Sequence, residues 1–206
     1  MADLSVSVLS RIDAVDAALW DACGDGGDPF TSHRFLSALE TSGSVGEGTG
    51  WHPSHLVARQ GGQVVGVAPA YLKTHSQGEY IFDHGWAEAF HRAGGQYYPK
   101  LQCAVPFTPA TGPRLIARDS RVQAALLAAM AQVAGQAGLS SAHVTFCTAQ
   151  ERELGEAQGW LGRTTTQYHW LNAGYASYDD FLAALSSRKR KALRKERERA
   201  NAFGGR

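Results

Sequence analysis

The chain has 206 residues, 44% hydrophobic and 19% charged, the balance of a soluble globular protein with one sizeable core or the start of a second domain. There is no basic segment leading into a long apolar run, no stretch long enough for a bilayer, and only Cys23, Cys103 and Cys147, odd in number and widely spaced. A signal peptide, a membrane span, a disulfide framework and a zinc site are therefore not expected, and a reducing cytoplasm is.

The charge is uneven. Residues 188–199, RKRKALRKERER, sum to +6, while residues 1–187 sum to −6. An acidic body with a basic tail speaks to partners rather than to fold.

In chain order, LSVSVL at 4–9 alternates and predicts a short strand. Asp13 is the expected cap of a helix through Cys23, with Val15, Leu19 and Trp20 on one face. The glycine-rich GDGGDP ends it, and Thr31 or Ser32 opens a second helix carrying Phe35, Leu36 and Leu39. After the flexible SGSVGEGTG, β-rich runs at 55–60 and 63–71 flank Gly61-Gly62. That is a strong hairpin signal, because a two-residue primed turn needs positive φ at both central positions.

Residues 85–93 suit a short helix, with Trp86, Phe90 and Ala93 on one face and Glu88, His91 and Arg92 on the other. A strand is expected at 100–105, running into PFTPATGPR, whose prolines forbid regular structure. Ser120, with Gln123 at the capping-box position, starts a helix striped by Val122, Leu126, Met130, Val133 and Ala137 and stopped at Gly138. A buried strand at 142–147, a helix at 150–158 and a β-rich run at 162–171 (GRTTTQYHWL) follow. Ser177 with Asp180 caps a last helix, which can continue through the basic run to Ala202.

Residues 71–114 hold eight of the chain's twenty aromatics, interleaved with charged side chains in neither strand nor helix periodicity. Aromatic walls with a few placed polar groups suit a small-molecule cleft, and a long loop covering the core fits the same composition. Glu79, Asp83 and His75 are candidate general bases, since acyl transfer to an amine must remove a proton, and a carboxylate among aromatics has its pKa raised. Lys73, Tyr80, Trp86, Tyr98 and Lys100 are candidate substrate-binding residues. Thr108, Thr111, Gly112 and Arg114 are added as a phosphate-facing turn, though Pro109 and Pro113 have no N–H to offer; a plain proline-rich turn is the competing account. No H-E-x-x-H or G-x-S-x-G is present, so metal or covalent hydrolase chemistry is not expected. In the tail, Arg188, Lys189, Arg190, Lys191 and Arg194 suit a solvated helix, a polyanion site or an interdomain helix.

The order of elements resembles the GNAT acyltransferase fold, in which a strand, a loop and a covering helix, here 101–137, cradle an acyl-coenzyme A. Four stretches go further: KTHSQGEYIFD (73–83), YYPKLQ (97–102), VPFTPATGPRL (105–115) and SSRKRKALRKER (186–197) together resemble the FemAB-like family of bacterial N-acyltransferases. The resemblance implies an α/β, GNAT-like mixed sheet flanked by helices, with a domain at 1–175. A basic helical extension at 176–206 would lead toward a second GNAT-like half, Gly204-Gly205-Arg206 being the entry to a further strand. It implies transfer of an acyl or aminoacyl group to an amine, such as a cell-wall precursor, from acyl-CoA or aminoacyl-tRNA. The alternative is a non-catalytic module whose basic helix holds nucleic acid or an acidic surface.

Overall fold

The computed structural model describes residues 3–203; the expectation for Gly204-Gly205-Arg206 lies outside them. Two compact units part between Thr164 and Thr165. In the first, β1 (Leu4–Leu9), β3 (His55–Gln60), β4 (Gln63–Ala68) and β7 (Ile116–Ala117) form one sheet in the order β1-β3-β4-β7. A second sheet runs β2-β5-β6-β8, from β2 (Trp51–Pro53), β5 (Ala70–Lys73), β6 (Lys100–Cys103) and β8 (Ala142–Val144). Five helices accompany them: α1 (Ala17–Asp21), α2 (His33–Thr41), α3 (His84–Arg92), α4 (Ser120–Gln136) and α5 (Ala149–Ala157). The second unit contains α6 (Tyr178–Ala183) and α7 (Ser187–Asn201). Among the described residues only the β6–β8 pairing is parallel, so the α/β class expected from the sequence, with a mixed sheet and flanking helices, is the one observed. No helix among the described residues is long and apolar enough to cross a membrane.

The hairpin closes as expected, with Gln60 opposite Gln63 and left-handed φ at Gly61 and Gly62 (58° and 85°). The run at 63–71 is not one strand, however. Pro69, which has no ladder N–H to give, divides it: β4 stays with β3, while β5 pairs with β6 in the other sheet.

Pleating sorts the core. Leu56 and Ala58 of β3, Leu101 and Cys103 of β6, and Val122, Leu126, Leu127 and Met130 of α4 form one cluster. Val57 and Val67 point the opposite way and meet Trp20 of α1 and Leu36 of α2. The strand, loop and covering helix expected at 101–137 are therefore present, with β6 inside its sheet. Gly66 lets α4 lie close, since a Cβ there would sit 2.5 Å from Val122 Cγ1.

Several helix ends differ from expectation. Asp13 is engaged by Arg11, and Asp16 caps α1 by accepting from the Ala18 and Leu19 amides; Leu19 faces solvent. Asp119, not Ser120, caps α4, and the Gln123 side chain donates to the Leu115 and Ala117 carbonyls. The β-rich run at 162–171 joins no ladder among the described residues, and β8 stops at Val144.

Nor does the last helix run on into the basic segment. The Ser177–Asp180 capping box starts α6 as expected, but that helix ends at Ala183 and a separate one begins at Ser187. Arg190 of α7 donates to the carbonyls of Leu182, Ala183 and Leu185 at the end of α6. It thereby satisfies groups that a continuous helix would have bonded internally.

Candidate functional site

β5 and β6 place the site. Successive residues of a strand face opposite ways, so while Leu101 and Cys103 enter the core beneath α4, Lys100 and Gln102 face the other side. Lys73 lies opposite Lys100 in the ladder, Tyr71 opposite Gln102, and His143 of β8 beside Gln102. This face would be solvated on an open sheet. Here Lys73, Lys100, Gln102 and Tyr71 are all buried; the segment between β5 and β6 supplies partners to the two lysines, and Gln102 donates to Thr145 Oγ1.

Lys100 is at the centre. Its Nζ donates to Glu79 Oε2 and Asp83 Oδ2, each at 2.8 Å, and to Ser76 Oγ at 3.1 Å. Tyr97 donates its hydroxyl to the same Asp83 oxygen at 2.8 Å, and Tyr98 Oη is 2.6 Å from Ser76 Oγ. Lys73 Nζ lies 3.5 Å from the centre of the Trp51 ring and donates a long bond, 3.4 Å, to the Gln77 carbonyl. Neither carboxylate of the Lys100 pair reaches solvent. Glu79 Oε1, Asp83 Oδ1, Gln102 Oε1 and Tyr71 Oη are buried with no partner. Removing ions from water costs several kcal/mol each unless their remaining valences are met, so the unpartnered oxygens of Glu79 and Asp83 are sites where a further donor would be favourable.

Asp83 also breaks a local rule. It occupies the N-cap position of α3 yet makes no cap bond, because Lys100 and Tyr97 hold the carboxylate. Burial alone would raise its pKa, but the bonds from Lys100 and Tyr97, with Ser76 alongside, bring it down to about 2. Glu79 moves the other way: burial raises it against the pull of Lys100. Burial lowers Lys73 to about 7 against the pull of Glu79, and lowers His143 to about 4 with help from Lys100. Two carboxylates and two amines thus share one enclosure with their proton affinities pushed apart, the arrangement that acid–base chemistry uses.

The backbone here is unusual too. Tyr80, Phe82, Phe107 and Phe146 are the non-glycine residues with left-handed φ, between 50° and 59°, among those described. Tyr80 and Phe82 alternate with the site residues, and Phe107 packs on Trp51 and on Gly78, where a Cβ would lie 2.6 Å from its ring. Such conformations cost about 1–3 kcal/mol each and gather at functional sites.

Glu79, Asp83, Lys73, Lys100 and Tyr98 are therefore brought together. Tyr80 and Trp86 are exposed, and Trp86 lies under the Arg163 guanidinium. His75 is turned away from the cluster: its Nδ1 accepts from the Gln77 amide, and its ring lies against Gly50.

The side chains of the expected phosphate-facing turn are engaged as follows. Arg114 is buried and donates Nε to the Thr145 carbonyl, Nη1 to Pro113 and Nη2 to Ala110. The Gly112 amide donates to the Phe146 carbonyl, and the Asp28 carboxylate lies against Gly112 Cα. Thr108 Oγ1 donates to the Pro106 carbonyl, while Thr111 is exposed. The Arg114 guanidinium and the Gly112 amide are thus engaged within the chain, with the Asp28 carboxylate beside them.

The neighbouring cavity, about 820 Å³, is lined by Asp21, Asp25, Asp28 and Glu151 with Arg118 as the facing cation. In the tail, Arg190 holds α6, Arg194 approaches Asp179 at 4.0 Å, and Arg188, Lys189 and Lys191 are exposed. Sequence reasoning missed Ser76, Tyr97 and Gln102. The alternation K-L-Q-C was the available signal, but it reads as a half-solvated strand when the cover is unknown.

The FemAB-like family model, described as peptidoglycan biosynthesis/recognition, matches residues 11–206. No curated protein matches. Among solved structures, a ribosomal-protein-alanine N-acetyltransferase from Brucella melitensis is similar at 12% identity, covering 82% of this chain and all of that one, with a TM-score of 0.49. The aminoglycoside N-acetyltransferase AAC(6')-Iy in complex with CoA is similar at 12% identity, 84% and 97% coverage and a TM-score of 0.48. Glucosamine-6-phosphate N-acetyltransferase from Arabidopsis thaliana follows at 8%, 82% and 99% coverage, and 0.45.

Proposed function

Because the chain belongs to the FemAB-like family, we propose that it is an N-acyltransferase, and that the enclosure around Lys100 receives the amine. One observation carries the reading: Lys100 Nζ sits 2.8 Å from each of two buried carboxylates, and each carboxylate keeps one oxygen unpartnered. An ammonium already occupies one side of the pair, and the other side offers the same chemistry to a second.

In this reading the acceptor's ammonium donates to Glu79 Oε1 and Asp83 Oδ1. Glu79, whose burial favours its protonated form, takes the proton. Asp83 stays ionised and accepts a hydrogen bond from the amine, while Lys100 fixes both carboxylates. The donor supplies an activated acyl carbonyl, onto which the freed lone pair forms the new C–N bond. Access requires the covering segment to move aside.

The family description supports an amine-bearing cell-wall precursor as acceptor. For the donor, acyl-CoA and aminoacyl-tRNA remain the two classes. The committed amides and guanidinium at 108–114 weigh against a pyrophosphate cradle in that turn, and the basic α7 is suited to phosphates.

Single-turnover transfer from labelled aminoacyl-tRNA and acyl-CoA to amine-bearing peptidoglycan precursors tests the proposal. The wild-type chain forms an amide with one donor class, and Glu79→Gln with Asp83→Asn loses at least a hundredfold. Transfer unaffected by both substitutions would remove the site from the reaction. Supplying a second GNAT-like half in trans tests the two-half organisation that the resemblance implies.

A further inference from the structure

The basic helix α7 carries no aromatic of its own, but the segment before it in the same unit does. Trp170, Asn172, Tyr175, Tyr178 and Phe181 line a cavity of about 380 Å³. Trp170 and Tyr175 lie nearly parallel, at 24°, and Phe181 meets them steeply, at 89° and 69°. These rings do not form a closed core, since Trp170 is 65% exposed. Asn172 shapes the wall, its Oδ1 accepting from the Gly174 and Tyr175 amides. The capping box of α6 sets Tyr178 and Phe181 one turn apart on the same helix face.

α7 brings cations to that wall. Arg190 donates to the carbonyls at the end of α6, Arg194 is 4.0 Å from Asp179, and the Arg197 guanidinium lies 4.2 Å from the centre of the Tyr178 ring. Arg197 thus covers a ring that itself lines the cavity, while Arg188, Lys189, Lys191 and Lys195 are exposed. The neighbouring acids are engaged: Asp179 faces Arg194, and Asp180 accepts from the Ser177 amide.

Aromatic faces beside a run of cations suit a single-stranded nucleic acid, whose bases stack while its phosphates meet the charge. We propose that this unit binds single-stranded RNA, with one unpaired base against Trp170 and Tyr175 and the flanking phosphates along α7. A duplex keeps its bases stacked on one another, and RNA is the nucleic acid that commonly presents unpaired ones. A neutral sugar would stack on the same rings but leave the cations without a role. With fifteen residues, α7 is about 22 Å long, enough to follow several successive phosphates. This binding goes beyond acyl transfer and does not depend on it.

The test uses the whole chain and a short labelled oligoadenylate, single-stranded or annealed to oligouridylate, read by fluorescence anisotropy over a salt series. The single strand should bind at least tenfold more tightly than the duplex and quench tryptophan emission, a quench that Trp170→Phe removes while keeping a ring to stack on. Trp170→Leu keeps apolar bulk without a π face and should lose at least fivefold. Lys189→Gln with Lys191→Gln should weaken binding and flatten the dependence of log affinity on log salt by roughly 0.7 per cation removed.

Equal affinity for duplex and single strand overturns the proposal and leaves α7 a non-specific polyanion surface. Binding by Trp170→Leu equal to wild type overturns it too, as does no binding at physiological salt. Self-association lost in Trp170→Leu, without RNA binding, would give the cavity to a second copy instead. Circular dichroism checks that the variants keep their helices; should Trp170→Leu lose them, the strand-against-duplex contrast and the quench in wild type decide.

Discussion

Lys73 and Lys100 stand directly opposite each other across the β5–β6 ladder, and neither side chain reaches solvent. Two like charges so placed would repel. The covering segment brings Glu79 and Asp83 onto Lys100 alone, so one amine is held by two carboxylates while the other, over the Trp51 ring, has burial acting against its charge.

Lys100→Met should therefore be costly in a specific way. It strands two carboxylates in the enclosure, and breaking a buried pair from one side costs about 3–5 kcal/mol. Adding Glu79→Gln and Asp83→Asn to Lys100→Met should recover most of that loss. Urea unfolding of the single and triple variants checks it; a triple variant no better than the single one would mean that Lys100 matters through packing.

Stability should follow pH in three segments. The pKa of Asp83 is depressed in the folded state to about 2 from an ordinary 3.8, so its contribution is complete above about 4 and is lost as pH falls toward 2, about 2 kcal/mol in all. Glu79 is raised by burial, so its contribution is present at or below its ordinary value of 4.5 and is lost above it. Lys73 is depressed to about 7 from 10.5: between those values the unfolded chain binds the extra proton, and stability rises with pH. Chemical unfolding from pH 2 to 10 should show the acid loss flattened in Asp83→Asn and the alkaline gain abolished in Lys73→Met.

Gly66→Ala tests the packing of α4. The new methyl would fall 2.5 Å from Val122 Cγ1 and 3.1 Å from Ala117 Cβ, an overpacking that costs about 1–3 kcal/mol. Val122→Ala alone should also destabilise, by opening a cavity. In the pair the two losses should partly cancel, a coupling that a double-mutant cycle measures directly.

Arg114→Lys should behave as a structural substitution. A lysine cannot serve the carbonyls of Thr145, Pro113 and Ala110 with one planar fork. Leaving buried carbonyls unmet costs about 1–3 kcal/mol apiece. Unfolding at fixed pH should show a loss of about 2–4 kcal/mol; a stability equal to wild type would return Arg114 to the pool of ligand-facing groups.

What could be read in the sequence follows from where the physics is local. Gly61-Gly62, the Ser177–Asp180 box and the stripe of Val122, Leu126 and Met130 are decided by residues a few positions apart, and each appears where the pattern puts it. The convergence of Glu79, Asp83, Lys73 and Lys100 was suggested by composition, because charges among aromatics need a reason to be there. The misreadings arise where a remote partner decides. Asp119 and Ser120 both suit a cap, and only the fold assigns Gln123 to Leu115 and Ala117. Arg114 resembles an anion clamp until the loop carbonyls around it are known. Pro69 parts two sheets, an event that alternation across 63–71 gives no hint of.

The left-handed aromatics have a bearing on how this chain would drift under selection. At Phe82, with φ 50° and its ring mostly in solvent, glycine would hold the same turn with about 1–2 kcal/mol less backbone penalty. A library filtered only for foldedness should accumulate glycine at that codon, whereas one filtered for turnover should keep the ring. Comparing the two enrichments would separate, at a single position, the residue that thermodynamics prefers from the one that use has retained.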